Sequence, residues 1–366
     1  MKRNPPDLVL FGVILLLLLI GLIIVTSASA PESLKVTNGA SVFNYGLRQL
    51  MFAIIGLGLL IFMLKFPHPN LKRYTVIIAV CSIVALVAVL FLGRSVNGAR
   101  RWIYLGFFPF QSSEFAKIGT VLVLAHYLSE IKKGVTNFFV GIVIPCFFVA
   151  IVCALIMMEP DLGTVIVIFG TLMMMIYVAG AKISHLTLIA LLGVAGVAVL
   201  VLMEPYRFQR LLAFVDPWKD KQGNGWQIIQ SLFALGSGGP FGLGLGMGRQ
   251  KFDYLPEAHT DYIFSILGEE LGLIGTVTVI VLFFLLAWRG YKTAIAARDP
   301  YGRILAAGLT SYLVFQALLN ISVVTSSVPV TGITLPFLSY GGSSLLVSLF
   351  SVGILLNISK NSELRL

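Results

Sequence analysis

Apolar stretches long enough to cross a bilayer recur along almost the whole chain, separated by polar connections. A bilayer core about 30 Å thick needs roughly 20 consecutive apolar residues in an α-helix. The pattern predicts ten spans, over residues 8–26, 48–65, 74–92, 114–128, 138–157, 164–181, 183–203, 261–288, 302–324 and 336–357. Alternating segments of about ten residues, which would indicate a transmembrane β-barrel, do not occur. We therefore predict an all-α polytopic membrane protein, with residues 1–366 forming one membrane domain.

Composition agrees with this pattern, because 58% of the residues are hydrophobic and only 11% are charged. The first apolar run, Leu8 to Val25, has 18 residues, which exceeds the roughly 7–15 of a signal-peptide core. We interpret it as the first spanning helix rather than as a cleaved signal. The 3 cysteines lie in apolar runs and form no Cys/His cluster, so neither a zinc site nor a disulfide framework is indicated.

Positive charge is distributed unevenly between the two sides of the membrane. An even number of spans puts both termini on one side, whose connections hold 14 of the 26 Lys and Arg but only 4 of the 16 Asp and Glu. Because short cytoplasmic connections carry such a basic excess, we predict a bacterial cytoplasmic membrane protein with both termini in the cytoplasm. The net charge of +10 then suits anionic lipid headgroups, and it does not indicate nucleic-acid binding.

The connection between the seventh and eighth spans, residues 204–260, is the longest on the opposite, outer side. Connections of this length inside a compact bundle are usually functional. Apolar residues at helical spacing predict an amphipathic helix over 224–234, lying either on the membrane or a cavity, or against neighbouring spans. Residues 236–248 are rich in glycine but lack the GK[ST] of a phosphate-binding loop. Close backbone packing or a flexible loop explains these glycines better than a nucleotide site.

The segment from Tyr254 to Gly272 opens the eighth span with four carboxylates and a histidine, at Glu257, His259, Asp261, Glu269 and Glu270. Ionisable groups are costly inside a bilayer and usually functional there. Glu257 and Asp261 fall at the outer mouth of the span, and we choose Asp261 as the reacting group. Glu269 and Glu270 lie deeper, so we expect them to face a cavity, a partner or a neutralising base, or to serve helix pairing or helix-end solvation.

Other polar residues also gather on the outer half of the chain. Glu114 and Lys117 are three residues apart and share one helix face, so they form a structural ion pair, line a polar cavity, or do both. Asp161 lies in the turn that joins the fifth and sixth spans. No Ser/His/Asp arrangement supports hydrolysis by a histidine base, because only His259 lies near the carboxylates.

Basic residues surround this acidic region just outside the membrane, at Arg100, Arg101, Arg207, Arg210, Arg249 and Lys251. The planar fork of arginine suits phosphate oxygens. An anionic lipid headgroup is therefore a natural ligand for the group, although interfacial anchoring explains any one of these residues equally well.

Five segments combine in a specific pattern that runs from the first span to the last: Arg101-Trp102, Gln111–Lys117, Met158–Thr164, Gln250–Asp261 and Thr331–Ser344. This combination closely resembles the SEDS family (shape, elongation, division, sporulation). The segment YLPEAHTD, ending at Asp261, and the later GEELG, ending at Gly272, are more similar to the FtsW/SpoVE branch of that family than to RodA.

The resemblance implies a ten-helix membrane glycosyltransferase. Members of the family polymerise lipid II, an undecaprenyl-pyrophosphate-linked disaccharide pentapeptide, into peptidoglycan strands outside the cytoplasmic membrane. They work with a class B penicillin-binding protein, the transpeptidase that cross-links the strands, in the divisome or a related cell-wall complex. Asp261 matches the position of the aspartate regarded as catalytic in the family. The functionally sensitive positions of the family fall on Arg101, Trp102, Glu114 and Lys117.

This chemistry agrees with the residues themselves. A sugar hydroxyl that attacks the anomeric carbon must lose a proton, and Asp261 as a general base is worth typically 10²–10⁴ in rate. The pyrophosphate leaving group needs positive charge, which outer arginines or Lys117 supply. The predicted substrate-binding residues are Arg101, Trp102, Glu114, Lys117, Asp161, Arg207, Arg210, Lys251, Glu257 and His259.

The sequence requires no cofactor, although a divalent cation such as Mg²⁺ or Mn²⁺ could share the work of the basic residues. Two other functions use the same residues. One is a lipid II flippase, which needs access to its cavity from both faces of the membrane. The other is a non-catalytic scaffold that recruits the cross-linking enzyme.

Overall fold

Helices dominate the computed structural model, which describes residues 5–96, 99–106, 108–221 and 223–362. The helices are α1 Leu8–Ala28, α2 Ala30–Val36, α3 Asn44–Lys65, α4 Thr75–Leu92, α5 Ser112–Glu130, α6 Ile144–Met158, α7 Leu162–Val178, α8 Ile183–Met203, α9 Pro205–Val215, α10 Asn224–Gly238, α11 Ile263–Ala296, α12 Pro300–Val324 and α13 Gly342–Lys360. The strands are β1 Arg94–Val96, β2 Ala99–Leu105 and β3 Phe108–Gln111.

Within the described ranges, 8 helices are long and apolar enough to cross a membrane. Of the two other predicted spans, the sixth corresponds to α7, which is apolar but shorter. The fourth corresponds to α5, which carries Glu114 and Lys117 near its start. The predicted all-α polytopic membrane protein is confirmed, and the count of ten spans stays a prediction.

The core of the bundle forms around α12 and α13. Along these helices 72% and 83% of the most apolar window is buried, and α13 packs extensively against α3 while α12 packs against α7 and α11. In contrast, α8 buries little besides Ile189 and packs mainly along α7 and α9. We call the side of the bundle where α1 ends and α3 begins the site face.

A small antiparallel sheet covers part of the site face, in a region that the hydrophobic pattern treated only as a connection. Its strand order is β1-β2-β3, and Trp102 on β2 lies opposite Gln111 on β3. Because α5 begins at Ser112, directly after β3, the sheet holds β2 above the first turn of α5.

The eighth predicted span is a broken helix. α11 has 34 residues, which would extend about 50 Å if straight, but Gly272 has φ 67° and ψ −161° and interrupts it. Before the break, the carbonyl of Asp261 accepts a hydrogen bond from Asn320, near the end of α12. Just before Gly272, the carboxylate of Glu270 accepts one from Ser27, near the end of α1. Both of these partners lie at the site face, so the first part of α11 runs across that face before the second part crosses the bundle.

The glycine-rich segment 236–248 packs into this break. The amides of Leu243 and Gly244 donate to the carbonyls of Glu269 and Glu270, at 3.0 and 3.1 Å, groups that the interrupted helix leaves without their usual partners. A Cβ atom on Gly272 would lie 2.3 Å from the amide nitrogen of Gly242. Close backbone packing, one of the two predicted explanations for these glycines, therefore accounts for this part of the segment.

The predicted amphipathic helix forms as α10 and extends to Gly238. It packs against α11, with Ile228 and Ile229 buried while Leu232 and Phe233 stay exposed. The helix thus contacts a neighbouring span and still presents an apolar edge outward.

The last predicted span, 336–357, begins too early, because α13 starts only at Gly342. Residues 325–341 form no helix or strand, although Leu335 and Leu338 within them are buried. Irregular backbone at membrane depth must find hydrogen-bond partners inside the protein. Side chains provide several of them here: Gln49 donates to the carbonyl of Ser339 at 3.0 Å, and the amide of Leu335 donates to the hydroxyl of Ser339 at 2.8 Å.

Candidate active site

A cavity of about 390 Å³ opens among the ends of several helices at the site face. The sheet, the turn before α7, the helix α9, the turn before α11 and the irregular segment before α13 all contribute to its walls. It brings together seven of the predicted site residues: Arg101, Trp102, Glu114, Asp161, Arg210, Glu257 and Asp261.

Asp261 lies in the turn just before α11, partly buried at the wall of this cavity. The turn is fixed by its own backbone, since the amide of Tyr262 donates to the carbonyl of Glu257 at 3.2 Å. Opposite the carboxylate stands Gly332, with φ 70°, where an added Cβ atom would lie 3.5 Å from Oδ2 of Asp261. Glycine adopts this backbone conformation without strain, and so the chain can pass close to the carboxylate.

Burial raises the pKa of the Asp261 carboxyl to about 7. The negative charge of Glu257 raises it as well, while the positive charges of Arg101 and Arg210 lower it. Desolvation disfavours the charged form, and opposite charges nearby favour it. A carboxyl group with a pKa near neutrality is suited to accept and release a proton at cellular pH.

Arg101 on β2 holds the turn between α6 and α7. Its Nε donates to the carbonyl of Glu159 at 3.0 Å, and its Nη2 donates to the carbonyl of Pro160 at 2.5 Å. Asp161, at the end of this turn, accepts hydrogen bonds from the amide of Thr164 at 3.0 Å and from its hydroxyl at 2.9 Å. Each oxygen of the Asp161 carboxylate therefore accepts one hydrogen bond that caps α7, which gives this residue a structural role at the cavity wall.

Glu159, in the same turn, is a buried carboxyl group that the segment Met158–Thr164 contains without singling it out. Its Oε1 accepts a hydrogen bond from Ser112 at 3.0 Å, and its side chain is fully buried. Burial raises the pKa of Glu159 to about 8. The protonated form is therefore favoured at neutral pH.

Glu114 and Lys117 form a buried ion pair, with 2.8 Å between Oε1 and Nζ. Lys117 also donates to Oε1 of Gln316 on α12 at 2.6 Å. Because Glu114 lines the cavity, the pair has both of the arrangements considered from the sequence: it joins helices and it reaches the cavity wall.

Besides Lys117, three predicted site residues do not line the cavity. Arg207 donates to the hydroxyl of Tyr206 and to the carbonyl of Leu200. His259 packs against the rings of Tyr45 and Tyr340, and burial lowers its pKa. Local packing therefore directs these side chains away from the cavity.

Lys251, the third, is neutralised within the protein. Its Nζ donates to Oε1 of Glu270 at 2.7 Å, to the carbonyl of Gly246 at 2.8 Å and to the hydroxyl of Ser27 at 2.9 Å. All three donors of the ammonium group are used. Glu270 thus faces a neutralising base, as one sequence expectation held, and Glu269 accepts from the amides of Arg249 and Gln250.

Sequence reasoning overlooked other residues at the site, notably Tyr104 and Gln227 on the cavity wall and Gln316 and Asn320 behind it. Gln316 and Asn320 are uncharged amides one helical turn apart in an apolar span. Polar side chains in such spans usually bond across helices, and that signal was available in the sequence. For metal binding, the described residues contain no group of three or more His, Cys, Asp or Glu placed to hold an ion.

A second space lies along the bundle. This groove, about 240 Å³ in volume, lies between α7 and α12 and is lined mainly by apolar side chains such as Ile166, Phe315 and Leu318. Ile166 in this groove is two positions along the chain from Thr164, a residue of the cavity wall.

Comparison with known proteins extends over nearly the whole chain. The family model FTSW_RODA_SPOVE, described as cell cycle protein, matches residues 7–364. Stage V sporulation protein E of Bacillus subtilis (strain 168) is 47% identical over 364 residues, covering 99% of each chain. A probable peptidoglycan glycosyltransferase FtsW of Aeromonas salmonicida (strain A449) is 41% identical over 347 residues, covering 94% of this chain and 88% of its own.

Solved structures with the same fold include a chain from work described as "Structural coordination of polymerization and crosslinking by a peptidoglycan synthase complex". It superposes with a TM-score of 0.78 at 29% identity and 97% coverage of both chains. The rod shape determining protein RodA of Thermus thermophilus has a TM-score of 0.73 at 27% identity, with 98% of both chains covered.

Proposed function

The chain belongs to the FtsW/RodA/SpoVE family of cell cycle proteins, and we propose that it is a peptidoglycan glycosyltransferase that polymerises lipid II into β-1,4 glycan strands. One observation carries this proposal beyond family membership. A single cavity at one face of a membrane bundle joins Asp261, whose pKa is about 7, to the guanidinium groups of Arg101 and Arg210.

Asp261 is the general base of the reaction. The 4-hydroxyl of the acceptor sugar gives its proton to the carboxylate as its oxygen bonds to the anomeric carbon of the donor sugar. The bond between that carbon and the pyrophosphate oxygen breaks, and the electron pair leaves with the polyprenyl pyrophosphate. General-base catalysis of this kind contributes about 10²–10⁴ in rate.

Arg101 and Arg210 stabilise the departing pyrophosphate. Arg101 uses two N–H groups on backbone carbonyls, and a guanidinium carries five, so donors remain for phosphate oxygens. Among the residues that the structure describes, Arg210 makes one long hydrogen bond, 3.4 Å to the carbonyl of Val330. Fixed positive charge placed where negative charge develops lowers the barrier without reorganisation.

The polyprenyl chain occupies the apolar groove between α7 and α12. This keeps the lipid in the bilayer while its sugar and pyrophosphate reach the cavity. A divalent cation such as Mg²⁺ or Mn²⁺ would be held by Glu257 together with the pyrophosphate, because Mg²⁺ is bound by one or two carboxylates plus substrate phosphates; Asp261 then stays available to take the proton.

The site face is the outer face of the bacterial cytoplasmic membrane, and both termini are cytoplasmic. The basic connections on the side of the termini support this orientation. The partner is a class B penicillin-binding protein in a division or related cell-wall complex. Support comes from the similar structure described as a complex that coordinates polymerisation and crosslinking.

The test is polymerisation of labelled lipid II by the purified protein with its transpeptidase partner, followed on a gel. We expect Asp261→Asn to lower the rate at least about 100-fold, while Asp216→Asn, an exposed carboxylate of the same long connection, retains the wild-type rate. Absence of polymer from the wild-type complex, or full activity in Asp261→Asn, contradicts the proposal. A flippase would instead move labelled lipid II across vesicles whether or not Asp261 is present, and a scaffold would bind its partner without either activity.

A further inference from the structure

The cavity wall opposite Asp261 is irregular backbone. We call residues 330–334 the cavity segment; all five line the cavity, and none belongs to a helix or strand. Without regular structure, their carbonyl and amide groups have no built-in partners, and unpaired backbone groups are costly when buried. The position of this wall therefore depends on side chains that bind its backbone.

Asn320, near the end of α12, binds two backbone carbonyls at once. Its Nδ2 donates to the carbonyl of Ile333 in the cavity segment and to the carbonyl of Asp261, both at 2.7 Å. The side chain is 1% exposed, so neither hydrogen bond is exchanged readily with water. Both amide hydrogens are used to tie the turn that carries Asp261 to the wall that faces it.

Gln316 lies one turn earlier on the same face of α12, at the spacing that places side chains side by side. Its Nε2 donates to the carbonyl of Thr334 at 2.9 Å, and its Oε1 accepts from Lys117 at 2.6 Å. Through Lys117 it also connects to Glu114, a residue of the cavity wall. Like Asn320, it is almost fully buried.

We propose that Asn320 and Gln316 are positioning residues of the glycosyltransferase, because they fix the Asp261 turn and the cavity segment at one separation. This inference rests on the proposed function, since it assigns to α12 the placement of the reacting carboxylate. Asn320 binds the main chain of Asp261 itself and of Ile333 in the opposite wall, and Gln316 binds the main chain of Thr334, the next residue of that wall. A reacting group displaced by about 1 Å can lose about 100-fold in rate.

The decisive variant is Asn320→Leu, which keeps the branched shape and the number of heavy atoms of the side chain and removes both donors. Its matched control is Asn357→Leu on α13. Asn357 is also buried, its Nδ2 donates to the carbonyl of Leu64 at 2.8 Å, and its Oδ1 accepts from the amide of His68 at 3.1 Å. His68 and Leu64 lie at the opposite end of the bundle from the cavity, so the control loses comparable bonds far from the chemistry.

Both variants would be purified in complex with the transpeptidase and compared by thermal unfolding, by steady-state kinetics on lipid II, and by hydrogen exchange of peptides covering residues 258–263 and 328–338. We expect similar losses of melting temperature. Asn320→Leu should lower kcat about 100-fold with KM within about threefold, and should speed exchange in both peptides. Asn357→Leu should keep kcat within about threefold and leave both peptides unchanged.

Equal losses of kcat in the two variants, or a normal kcat in Asn320→Leu, would overturn the positioning role and leave the proposed function intact. If the wild-type complex makes no polymer, the proposed function fails, and hydrogen exchange alone decides whether Asn320 ties the Asp261 turn to the cavity segment. Faster exchange confined to Asn320→Leu then supports it, and unchanged exchange refutes it. Gln316→Leu extends the test, with faster exchange expected in residues 328–338 alone.

Discussion

The ionisation of Asp261 should control the acidic limb of the pH–rate profile. As a general base, the residue must be deprotonated, and its pKa is about 7. About 9% of the carboxyl groups are then ionised at pH 6 and about 91% at pH 8, so kcat/KM should rise about tenfold over this interval. An ordinary aspartate, with a pKa near 4, would give a flat profile over the same range.

Substitution of the charged neighbours should shift the pKa of Asp261 in a direction that depends on the charge removed. Glu257 raises the pKa of Asp261 and Arg210 lowers it. Glu257→Gln should therefore move the midpoint of the limb to lower pH, and Arg210→Gln should move it to higher pH. The two shifts must be opposite, because one variant removes a negative charge and the other a positive charge from the same cavity.

The assay is the initial rate of lipid II polymerisation between pH 5.5 and about 8.5, in buffers of constant ionic strength because salt screens such interactions. Glu159→Gln is the control, since the pKa of Glu159 is raised to about 8 and its titration could otherwise be mistaken for that of Asp261. The limb near pH 7 must persist in this variant. A flat profile in the wild type, or shifts of the same sign in Glu257→Gln and Arg210→Gln, would refute the assignment of the base.

Three further predictions concern stability. Because folding raises the pKa of Asp261 from 3.8 to about 7, wild-type stability falls as pH rises between these values. At pH 8, Asp261→Asn should melt at a higher temperature than the wild type, with a free energy of unfolding larger by at most about 4 kcal/mol. This difference should close towards pH 4. Lys251→Met leaves the buried carboxylate of Glu270 unpaired and should cost about 3–5 kcal/mol, whereas the double variant with Glu270→Met should recover much of it; equal stability of the single and double variants would contradict this. Gly272→Ala introduces a Cβ atom 2.3 Å from a backbone nitrogen at a positive φ and should abolish folding or lower the melting temperature sharply, while Gly236→Ala, with open space around the added atom, should be neutral or slightly stabilising.

The sequence was sufficient to predict the long apolar helices, because hydrophobicity along the chain is a local property, whereas the short helices α2 and α9 lie in predicted connections. It was not sufficient for the sheet β1-β2-β3, since β1 and β3 have only 3 and 4 residues and β2, with 7, does not alternate polar and apolar positions. The break at Gly272 was also missed, because apolar residues continue on both sides of the glycine and the break depends on the loop 236–248 packing against it. The start of the last span was placed at residue 336 instead of Gly342, because apolar residues continue through the irregular segment before α13.

The sequence predicted an acidic and basic site at the outer ends of the spans, but it did not predict which of these residues line the cavity. Arg210 and Lys251 are equivalent in the sequence, as basic residues outside a span, yet one lines the cavity and the other is neutralised by Glu270. Asp161 matched a functional pattern, and its carboxylate proved to cap a helix. Such distinctions arise from tertiary contacts between distant segments, which a single sequence does not contain.

The manner in which the cavity segment is held bears on how this protein can evolve. Asn320 and Gln316 donate hydrogen bonds to the backbone carbonyls of Ile333 and Thr334. A backbone carbonyl is present whichever amino acid occupies the position. Side chains along this wall can therefore be exchanged while the path of the chain is preserved, with Gly332 as the exception because of its backbone conformation. Residue 331 is thus a position where an engineered side chain can change the wall without removing one of these bonds, whereas the hydroxyl of Thr334 itself bonds to Gln316 and Ser344.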